Sequence, residues 1–451
     1  MNSQLIPSRH VAIIPHPSRS NINAMLNFSR LLASSNGGLH ITFVVTEEWL
    51  GLIGSPAAPP NIRLRSIPNV IPSEFVRGAD MPAFFAAVQS KMEGPFEELL
   101  DQLEPPVGSI VADTFLSWAP EFGNRRNIPV ASFWPMAAST FSVLWNLDLL
   151  ISNGHLSIDV SELGDERVDY IPGIPSIRLA DILAIFLGNL DLRNRIHGAV
   201  SMATKANCLL VASFHEVETH AMEFLKAKLP LPVYSLGPCI PYMTAENRAM
   251  GPHDADYFNW LDSQPKSSVL YVSFGSYVVV SGAQMDEIAI GLRASGARFL
   301  WIARNDVTRL QHLSGEMGLV VQWCDQLKVL CHSSVGGFLT HCGWNSTMEC
   351  VFAGKVMLSF PISAEQFINT KLIVEDWQVG MKLKNHEKIV GREEIARNVQ
   401  RLMDLEKDDG KQLRTRAREL QEACKRAIEK GGSSYTNLHT FVGDVLRGCS
   451  S

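Results

Sequence analysis

The chain has 451 residues, of which 46% are hydrophobic and 19% are charged, and its formal net charge at pH 7 is −6. This composition excludes intrinsically disordered, collagen-like and coiled-coil proteins, and the acidic balance argues against a general nucleic-acid-binding surface. Since globular domains span ~100–200 residues, the length predicts roughly two to four domains.

No segment of the sequence predicts membrane insertion or export. The apolar runs are far shorter than the ~18 residues of a transmembrane helix. The run Val11–Ile14 is followed at once by Pro15, so it lacks the length of a signal-peptide core. The eight cysteines are scattered along the chain, as is usual for reduced thiols. We therefore expect a cytoplasmic protein.

Strands and helices are predicted to alternate through the first half of the chain. Hydrophobic periodicity predicts, in order, a strand over His10–Pro15, a loop over Pro17–Asn21, a helix over Asn23–Ser34 and a strand over His40–Val45. The pattern continues with strands at Ser109–Asp113, Val130–Trp134 and Asn207–Ser213, and with helices at Phe84–Leu103 and Val217–Lys228. This alternation is typical of a doubly wound α/β domain.

The pattern is interrupted over residues 237–256, which mix Pro, Gly and polar residues, and then restarts. The second half is predicted to contain strands at Ser268–Phe274, Arg298–Ala303, Gly318–Gln322, Gly337–Thr340 and Val356–Phe360, and helices at Gln284–Ser295, Asn345–Ala353, Gly391–Met403 and Lys411–Lys430. We predict two α/β domains facing each other across a cleft: an N-terminal domain over 1–237, a linker over 238–256 and a C-terminal domain over 257–451. The last helices are expected to pack back on the first domain.

Polar side chains cluster where the predicted strand Gly337–Thr340 ends and the next helix begins near Trp344. Asn345 and Ser346 fall in the first turn of that helix, and Glu349 follows one turn later on the same face. Free N–H groups and the positive end of the helix dipole make such a turn a natural phosphate site. The alternative is an ordinary strand-to-helix turn that Asn and Ser side chains cap.

The segment Trp323–Gln366 reads WCDQLKVLCHSSVGGFLTHCGWNSTMECVFAGKVMLSFPISAEQ. It resembles the 44-residue signature of plant UDP-dependent glycosyltransferases of secondary metabolism, with Trp323 and Gln366 at its two ends. The resemblance extends over IVADTFLSWA, VYSLGPCIPY and WLDSQPKSSVLYVSFGS, and it is greatest to the subgroup numbered eighty-seven. It implies a GT-B fold of two Rossmann-like domains, the first binding a small acceptor and the second UDP-glucose as co-substrate. It implies neither a metal nor a permanently bound cofactor.

The resemblance also implies roles for individual residues. Trp323 would stack on uracil, the Cys324 backbone would bind the edge of the base, and Gln326 and Glu349 would hold ribose hydroxyls. The diphosphate would be held by Ser276, His341, Asn345 and Ser346. The sugar would be faced by Trp344, Glu365 and Gln366, of which Gln366 favours glucose.

This segment departs from the family pattern at a few positions. Asp325 stands where Pro is usual, Lys355-Val356 replaces Val-Pro, and Ala364 stands where an aromatic residue is usual. The uridine and phosphate positions are intact, whereas the changes lie partly towards the sugar-binding end.

The catalytic loop departs further from the family. An inverting transferase needs a base to take the proton of an acceptor hydroxyl. The family places a His before the first helix, oriented by an Asp on a later strand, and Asp113 matches the Asp. Asn21 stands at the His position, and Ser18 and Ser20 replace two loop glycines. Since an amide has no titratable group, we expect the loss of base catalysis, which contributes ~10²–10⁴-fold in rate.

Three explanations remain open for this loop. The acceptor is already ionised, as a carboxylate is, and needs no base. Alternatively another base substitutes, with His16 and Asp113 as candidates, although both also suit structural roles. In the third case the fold performs a reaction other than sugar transfer, such as a cyclisation, addition or elimination, or it only binds a nucleotide or metabolite. Arg19 is a candidate contact for an anionic acceptor, or else an exposed loop residue.

Two other interpretations of the sequence are weaker. The cysteines and histidines between Cys324 and Cys350 match no zinc-ligand spacing, so we expect no metal. The aromatic residues Trp134, Phe141 and Trp145 are expected in the core rather than in an acceptor pocket.

Overall fold

A computed structural model describes residues 10–35, 38–54, 60–77, 80–155, 165–186, 189–245, 254–275, 280–383 and 389–444. The chain divides into two compact units. One unit contains the described residues up to Ile240 together with those from Arg426 onward, and the other runs from Pro241 to Lys425. The described residues contain no helix that is long and apolar enough to cross a membrane.

A parallel sheet of seven strands forms the centre of the first unit. Its strands are β1 (His10–Ile14), β2 (His40–Thr46), β3 (Ile62–Ile67), β4 (Ser109–Asp113), β5 (Val130–Trp134), β8 (Cys208–Val211) and β9 (Val233–Ser235). A separate antiparallel pair joins β6 (Arg167–Val168) to β7 (Ile177–Arg178). The order in the large sheet is β3-β2-β1-β4-β5-β8-β9, so the order reverses between β1 and β4.

The helices of the first unit follow its strands in the manner of βαβ units. They are α1 (Arg19–Ser35), α2 (Glu47–Ile53), α3 (Met81–Lys91), α4 (Glu93–Leu100), α5 (Ala119–Arg126), α6 (Ala138–Trp145), α7 (Leu147–Ser152), α8 (Leu179–Leu183), α9 (Leu190–Ala203) and α10 (Thr219–Lys228). Short 3₁₀ segments lie at Ala184–Phe186 and His215–Val217.

The second unit contains a parallel sheet of six strands. They are β10 (Val269–Ser273), β11 (Arg298–Ile302), β12 (Gly318–Val321), β13 (Val335–Thr340), β14 (Val356–Ser359) and β15 (Gly380–Lys382). Their order, β12-β11-β10-β13-β14-β15, reverses between β10 and β13. Both sheets therefore have the doubly wound order in which ligands bind beyond the carboxyl ends of the strands at the reversal point.

The remaining helices lie between Tyr242 and Asp444. They are α11 (Tyr242–Ala245), α12 (Asp254–Asp262), α13 (Gly282–Ser295), α14 (Val307–Ser314), α15 (Gln326–Cys331), α16 (Trp344–Ala353), α17 (Gln366–Lys371), α18 (Arg392–Met403), α19 (Asp408–Ile428) and α20 (Ser433–Asp444), with a π-helical turn at Leu372–Asp376. Helix α20 belongs to the first unit, where Phe441 packs 6.3 Å from the ring of Phe28.

The predicted α/β class, with two parallel sheets, is confirmed, and two predicted element boundaries are wrong. Helix α1 begins at Arg19 rather than at Asn23, because the Ser18 carbonyl already accepts the first helical hydrogen bond from the Ile22 N–H at 2.9 Å. The single helix predicted over Phe84–Leu103 is two helices that meet at Met92. Pro95 explains the break, because proline is tolerated in a first turn but not in a helix interior.

Two of the three aromatic residues predicted for the core, Trp134 and Phe141, lie there. Trp134 and Phe141 are fully buried, and their rings meet edge to face at 5.2 Å. Trp145 is half-buried. Trp134 and Phe141 therefore stabilise the first unit rather than line an open surface.

Candidate functional site

Asn21 and Asp113 meet at the reversal point of the first sheet. Asn21 lies in the first turn of α1, which follows β1, and Asp113 is the last residue of the neighbouring strand β4. Asn21 Nδ2 donates a hydrogen bond of 2.8 Å to Asp113 Oδ2. The adjacent carboxyl ends of two strands thus bring together residues that are far apart in sequence.

The amide group of Asn21 has a fixed orientation. Its Oδ1 accepts hydrogen bonds from Ser18 Oγ at 2.8 Å and from Ser20 Oγ at 3.0 Å. Because a carbonyl oxygen has two lone pairs, the two hydroxyls occupy it fully, and the amide nitrogen must face Asp113. Asn21 therefore presents only N–H groups to a ligand.

Asp113 is a buried carboxylate with several donors. It is 1% exposed, and its Oδ1 accepts the Phe115 N–H at 3.0 Å. Burial raises the pKa of Asp113 to about 6, although hydrogen bonds from the Phe115 backbone, the Asn21 side chain and the His16 backbone act in the opposite direction. At neutral pH the carboxyl is mainly ionised, but its oxygens are occupied and shielded from solvent.

His16, the other candidate base, lies in an apolar environment. Its ring packs against Phe84, Phe85 and Phe115 with centroid distances of 5.7, 5.0 and 5.7 Å, and it is 3% exposed. Burial and the nearby Arg77 charge lower the pKa of His16 to about 3. A group of such low basicity is a poor proton acceptor at neutral pH.

Arg19 is the first residue of α1 and is exposed. Its guanidinium lies 5.5 Å from the centre of the Trp49 ring, within the range of a cation–π contact. The positive end of the α1 dipole and this guanidinium both favour an anion near the first turn.

His341 occupies the reversal point of the second sheet. It directly follows β13 and lies against Gly275, which follows β10. Gly275 has a φ of +73°, and a Cβ there would lie 2.6 Å from His341 Nε2. Burial lowers the pKa of His341 to about 4, so the ring is neutral at pH 7. Its buried Nδ1 has no hydrogen-bond partner among the described residues.

The turn after His341 leads directly into α16. Cys342 has a φ of +65°, and its carbonyl accepts a hydrogen bond from Asn369 Nδ2 at 2.9 Å. Gly343 is the N-cap residue, so no side chain at that position caps the helix. Asn345 and Ser346 lie in this turn, as predicted. In the alternative interpretation an Asn or Ser side chain caps the turn, and the structure places a glycine at the N-cap position itself.

Gln326, the first residue of α15, forms hydrogen bonds with two residues of α16. Its Nε2 donates to Ser346 Oγ at 3.0 Å and to Glu349 Oε2 at 2.6 Å, while its Oε1 accepts from the Tyr271 hydroxyl at 3.1 Å. Burial raises the pKa of Glu349 to about 7, and the bond from Gln326 opposes this shift. Three residues assigned by resemblance, Gln326, Ser346 and Glu349, thus form one hydrogen-bonded cluster.

Trp323 and Cys324 precede this cluster. Trp323 is 54% exposed, so an aromatic ring is accessible to a planar base, whereas Cys324 is buried. The Tyr257 hydroxyl accepts the Asp325 N–H at 3.1 Å and so holds the backbone after Cys324.

The residues assigned to sugar binding lie around the start of α17. Gln366 Oε1 accepts the N–H groups of Ile362 and Ser363 at 2.9 and 3.2 Å, which leaves the amide nitrogen for another partner. Burial raises the pKa of Glu365. Trp344 is 3% exposed and packs near Trp377. Ser276, also predicted to bind phosphate, lies outside the described residues.

Sequence reasoning missed Tyr271 and Asn369, which hold Gln326 and the Cys342 turn in place. Tyr271 stands in a buried strand and Asn369 inside α17, where hydrophobic periodicity shows only burial. A buried Asn in a helix is the single signal that could have identified one of them, because such an amide requires a partner.

Comparisons with known proteins identify relatives over nearly the whole chain. The model of the family described as "UDP-glucoronosyl and UDP-glucosyl transferase" matches residues 199–410. UDP-glycosyltransferase 87A1 of Arabidopsis thaliana is 46% identical over 443 residues, covering 96% of this chain and 100% of that protein. UDP-glycosyltransferase 87A2 of the same plant is 46% identical over 445 residues and covers 96% of each.

The solved structures that superpose on this chain include plant proteins that are also named UGT. Medicago truncatula UGT71G1, determined with UDP-glucose, superposes with a TM-score of 0.85 at 25% identity and covers 99% of this chain and 100% of that one. Phytolacca americana UGT2, determined with UDP-2fluoro-glucose and pterostilbene, superposes with a TM-score of 0.80 at 27% identity, covering 96% and 98% of the two chains.

Proposed function

The chain belongs to the plant UDP-glycosyltransferase family, and we propose that it transfers glucose from UDP-glucose to a small acceptor that reacts as a carboxylate. Membership makes the protein a UDP-sugar-dependent glycosyltransferase with the GT-B fold predicted from the sequence, built from two Rossmann-like halves. The acceptor class, the choice of glucose and the residue roles below are the proposal.

The observation that carries the acceptor assignment is the orientation of the Asn21 amide. Its oxygen is occupied by Ser18 and Ser20, and one N–H is directed at Asp113. A hydroxyl acceptor needs an atom that takes its proton, and Asn21 has none. A carboxylate needs only donors, and the second Asn21 N–H supplies one.

The charge balance of the reaction agrees with this assignment. A carboxylate oxygen attacks the anomeric carbon of glucose as the bond from that carbon to the diphosphate oxygen breaks. The products are a glucose ester and UDP, and UDP carries away the negative charge that the carboxylate brought. No proton is transferred, so the reaction proceeds without a general base.

The α1 terminus supports an anionic acceptor electrostatically. The first turn of α1 lies at the positive end of the helix dipole, contains no acidic residue and begins with the exposed Arg19. Charge-assisted hydrogen bonds from N–H donors to a carboxylate contribute about 1.5–3 kcal/mol each. Asp113 holds the Asn21 amide in place and does not itself touch the acceptor in this proposal.

The donor is assigned to the second unit. The exposed ring of Trp323 would stack on uracil, the Cys324 backbone would bind its edge, and Gln326 with Glu349 would hold the ribose. The neutral His341 Nδ1 and the first turn of α16 would bind the diphosphate. The amide nitrogen of Gln366, together with Glu365 and the start of α16 at Trp344, would contact glucose.

We also propose that this reaction takes place in the cytoplasm. None of the seven described cysteines forms a disulfide, and burial raises the pKa of Cys208 and of Cys239 to about 12. Buried thiols of this kind are inert and suit a reducing compartment.

The test measures UDP release from UDP-glucose with an aromatic carboxylate and with the phenol of the same ring. Wild type should release UDP with the carboxylate and react with the phenol ~10²–10⁴-fold more slowly. Asn21→His should accelerate the phenol reaction and slow the carboxylate reaction about tenfold, because the substitution removes the amide N–H that the carboxylate accepts. Asn23→His, an exposed position two residues further along α1, is the matched control and should change neither rate.

Two results would contradict the proposal. Faster wild-type turnover of the phenol than of the carboxylate would show that another group acts as a base. The second result is UDP release by Asn21→His when wild type releases no UDP with any acceptor. This result would indicate that the donor site is intact but that the natural reaction uses no sugar donor.

A further inference from the structure

A cavity of about 250 Å³ lies at the amino ends of β1, β2 and β3. Its lining includes His10, His40, Thr42, Arg63 and Arg65. Asn21 and Asp113 lie at the carboxyl ends of β1 and β4, so the cavity is at the other end of the same sheet. The assigned transfer reaction uses none of its residues.

Five polar side chains replace the apolar ones that usually cover a parallel sheet. The register pairs His10 with His40 and Thr42 with Arg63, and Arg65 follows two residues after Arg63 on the same face of β3. Further along this face, Ala12, Val44 and Ile67 pack in the apolar core. Parallel sheets are normally buried by apolar side chains on both faces, so the polar end of this face is a local exception.

The cavity carries a positive charge that the described residues do not neutralise. Arg63 and Arg65 form no ion pair with any described residue, and Glu104 is the one acidic residue of the lining. The two arginines stand about 7 Å apart along the strand, close enough for both guanidinium groups to reach one small ligand. Such a local excess of positive charge stands out in a chain of net charge −6.

His10 is a buried residue of the cavity lining, and both of its ring nitrogens form hydrogen bonds within the protein. It is 4% exposed, its Nδ1 donates to the Pro105 carbonyl at 2.5 Å, and its Nε2 accepts from Thr42 Oγ1 at 2.8 Å. Burial lowers the pKa of His10, and the charges of His40 and Arg63 add to this effect. His10 is thus a neutral structural residue, and His40 with the two arginines provides the donors.

We propose that this cavity binds a small phosphate-bearing anion at a site separate from the transfer reaction. Planar guanidinium forks bind phosphate oxygens in pairs. A phosphate group also offers three acceptor oxygens to donors that converge from two strands, whereas a carboxylate offers two in one plane. The amides of Asn61 and Gln102, which also line the cavity, add neutral donors.

The experiment is a calorimetric titration of the full chain with pyrophosphate in the presence of saturating UDP, which occupies the nucleotide site. Arg63→Gln/Arg65→Gln should weaken pyrophosphate binding at least tenfold, because each charge-assisted contact contributes severalfold to affinity. Arg397→Gln/Arg418→Gln removes two exposed positive charges from α18 and α19 and is the matched control. It should leave the affinity within twofold.

A second variant removes a negative charge from the cavity and should change the affinity for pyrophosphate in the opposite direction. Glu104→Gln removes the one carboxylate of the lining and should strengthen pyrophosphate binding by about two- to threefold through reduced repulsion. Equal affinity of wild type and Arg63→Gln/Arg65→Gln would overturn the proposal, as would absence of binding to wild type. Tighter binding of malonate than of pyrophosphate would overturn the choice of phosphate.

Discussion

Asn21 Nδ2 lies 2.8 Å from Asp113 Oδ2, so an amide that can only donate faces a buried carboxylate at the reversal point of the first sheet. The two serine hydroxyls on Asn21 Oδ1 complete this arrangement. Four side chains, from the residue before α1, the first turn of α1 and the end of β4, thus fix the orientation of the Asn21 amide.

Removal of both serine hydroxyls should release the Asn21 amide. In Ser18→Ala/Ser20→Ala the amide oxygen loses two hydrogen bonds, each contributing about 1 kcal/mol, and the group can rotate. We expect kcat/KM with the carboxylate acceptor to fall about tenfold in UDP-release assays. Ser34→Ala removes a comparable bond to the Leu31 carbonyl near the end of α1 and should have no effect on this ratio. An unchanged rate in the double variant would show that the serines do not position Asn21.

Activity should decrease as the pH falls through about 6. Protonated Asp113 would present an O–H towards the N–H of Asn21, and the amide would lose its acceptor. In Asp113→Asn the titrating group is absent, so the pH profile of kcat/KM should lose its inflection near 6. Asp148→Asn, an exposed change on α7, should keep it.

The same carboxyl should make stability change in the opposite direction. The pKa of Asp113 is higher in the folded chain than its ordinary value of 3.8, so the folded state binds the proton between about pH 4 and 6 while the unfolded state does not. The free energy of unfolding should therefore fall by up to about 3 kcal/mol as the pH rises through this window. Urea unfolding at pH 4.5 and 7 checks this against Asp113→Asn, and equal pH slopes for the two proteins would contradict the assignment.

Gly275→Ala should abolish UDP binding. The backbone at position 275 is in the left-handed region, which costs an alanine about 1–2 kcal/mol. The new Cβ would also lie only 2.6 Å from His341 Nε2 and overlap it. Gly296→Ala is the matched control, because Gly296 has a φ of +68° with open space around it. We expect both variants to lose stability in thermal unfolding but only Gly275→Ala to lose UDP affinity by calorimetry. Equal affinities in the two variants would remove His341 from the proposed phosphate site.

Tyr271→Phe should weaken UDP binding through the ribose. Without the hydroxyl at 3.1 Å, Gln326 Oε1 loses its donor, and the amide is free to turn away from Glu349. We expect a loss of about three- to tenfold in UDP affinity, equivalent to about 1 kcal/mol. The affinity for 2′-deoxyuridine diphosphate should change less. Tyr234→Phe, which removes a hydroxyl contact to Asp444 in the first unit, is the control. An equal loss for both nucleotides would exclude a role through the ribose.

The comparison of His16 with Asn21 shows where sequence reasoning reached its limit. The sequence placed both residues in one loop and made His16 the nearest replacement base. The packed structure gives His16 three aromatic neighbours and a pKa of about 3, because the rings come from α3 and from the chain after β4. A local pattern carries no information about which distant residues surround a side chain.

The start of α1 shows a similar limit on a smaller scale. Helical periodicity indicated Asn23 because the polar residues from Arg19 onward carry no hydrophobic signal. The backbone hydrogen bond from Ile22 to Ser18 places Asn21 inside the helix. Its orientation towards Asp113 follows from this placement.

Residue types and their spacing along the chain are enough to predict the alternation of strands and helices, the family signature from Trp323 to Gln366 and the lack of a titratable group at position 21. These properties depend on residue type and spacing, which are local. Three other features are visible only in the folded chain: the serine hydroxyls occupy the amide oxygen of Asn21, Tyr271 donates to Gln326, and two arginines and two histidines line one cavity. Each of these contacts joins groups whose distance and orientation are set by the packing of separate elements or by the exact turn of the backbone, and no spacing rule along the chain specifies them.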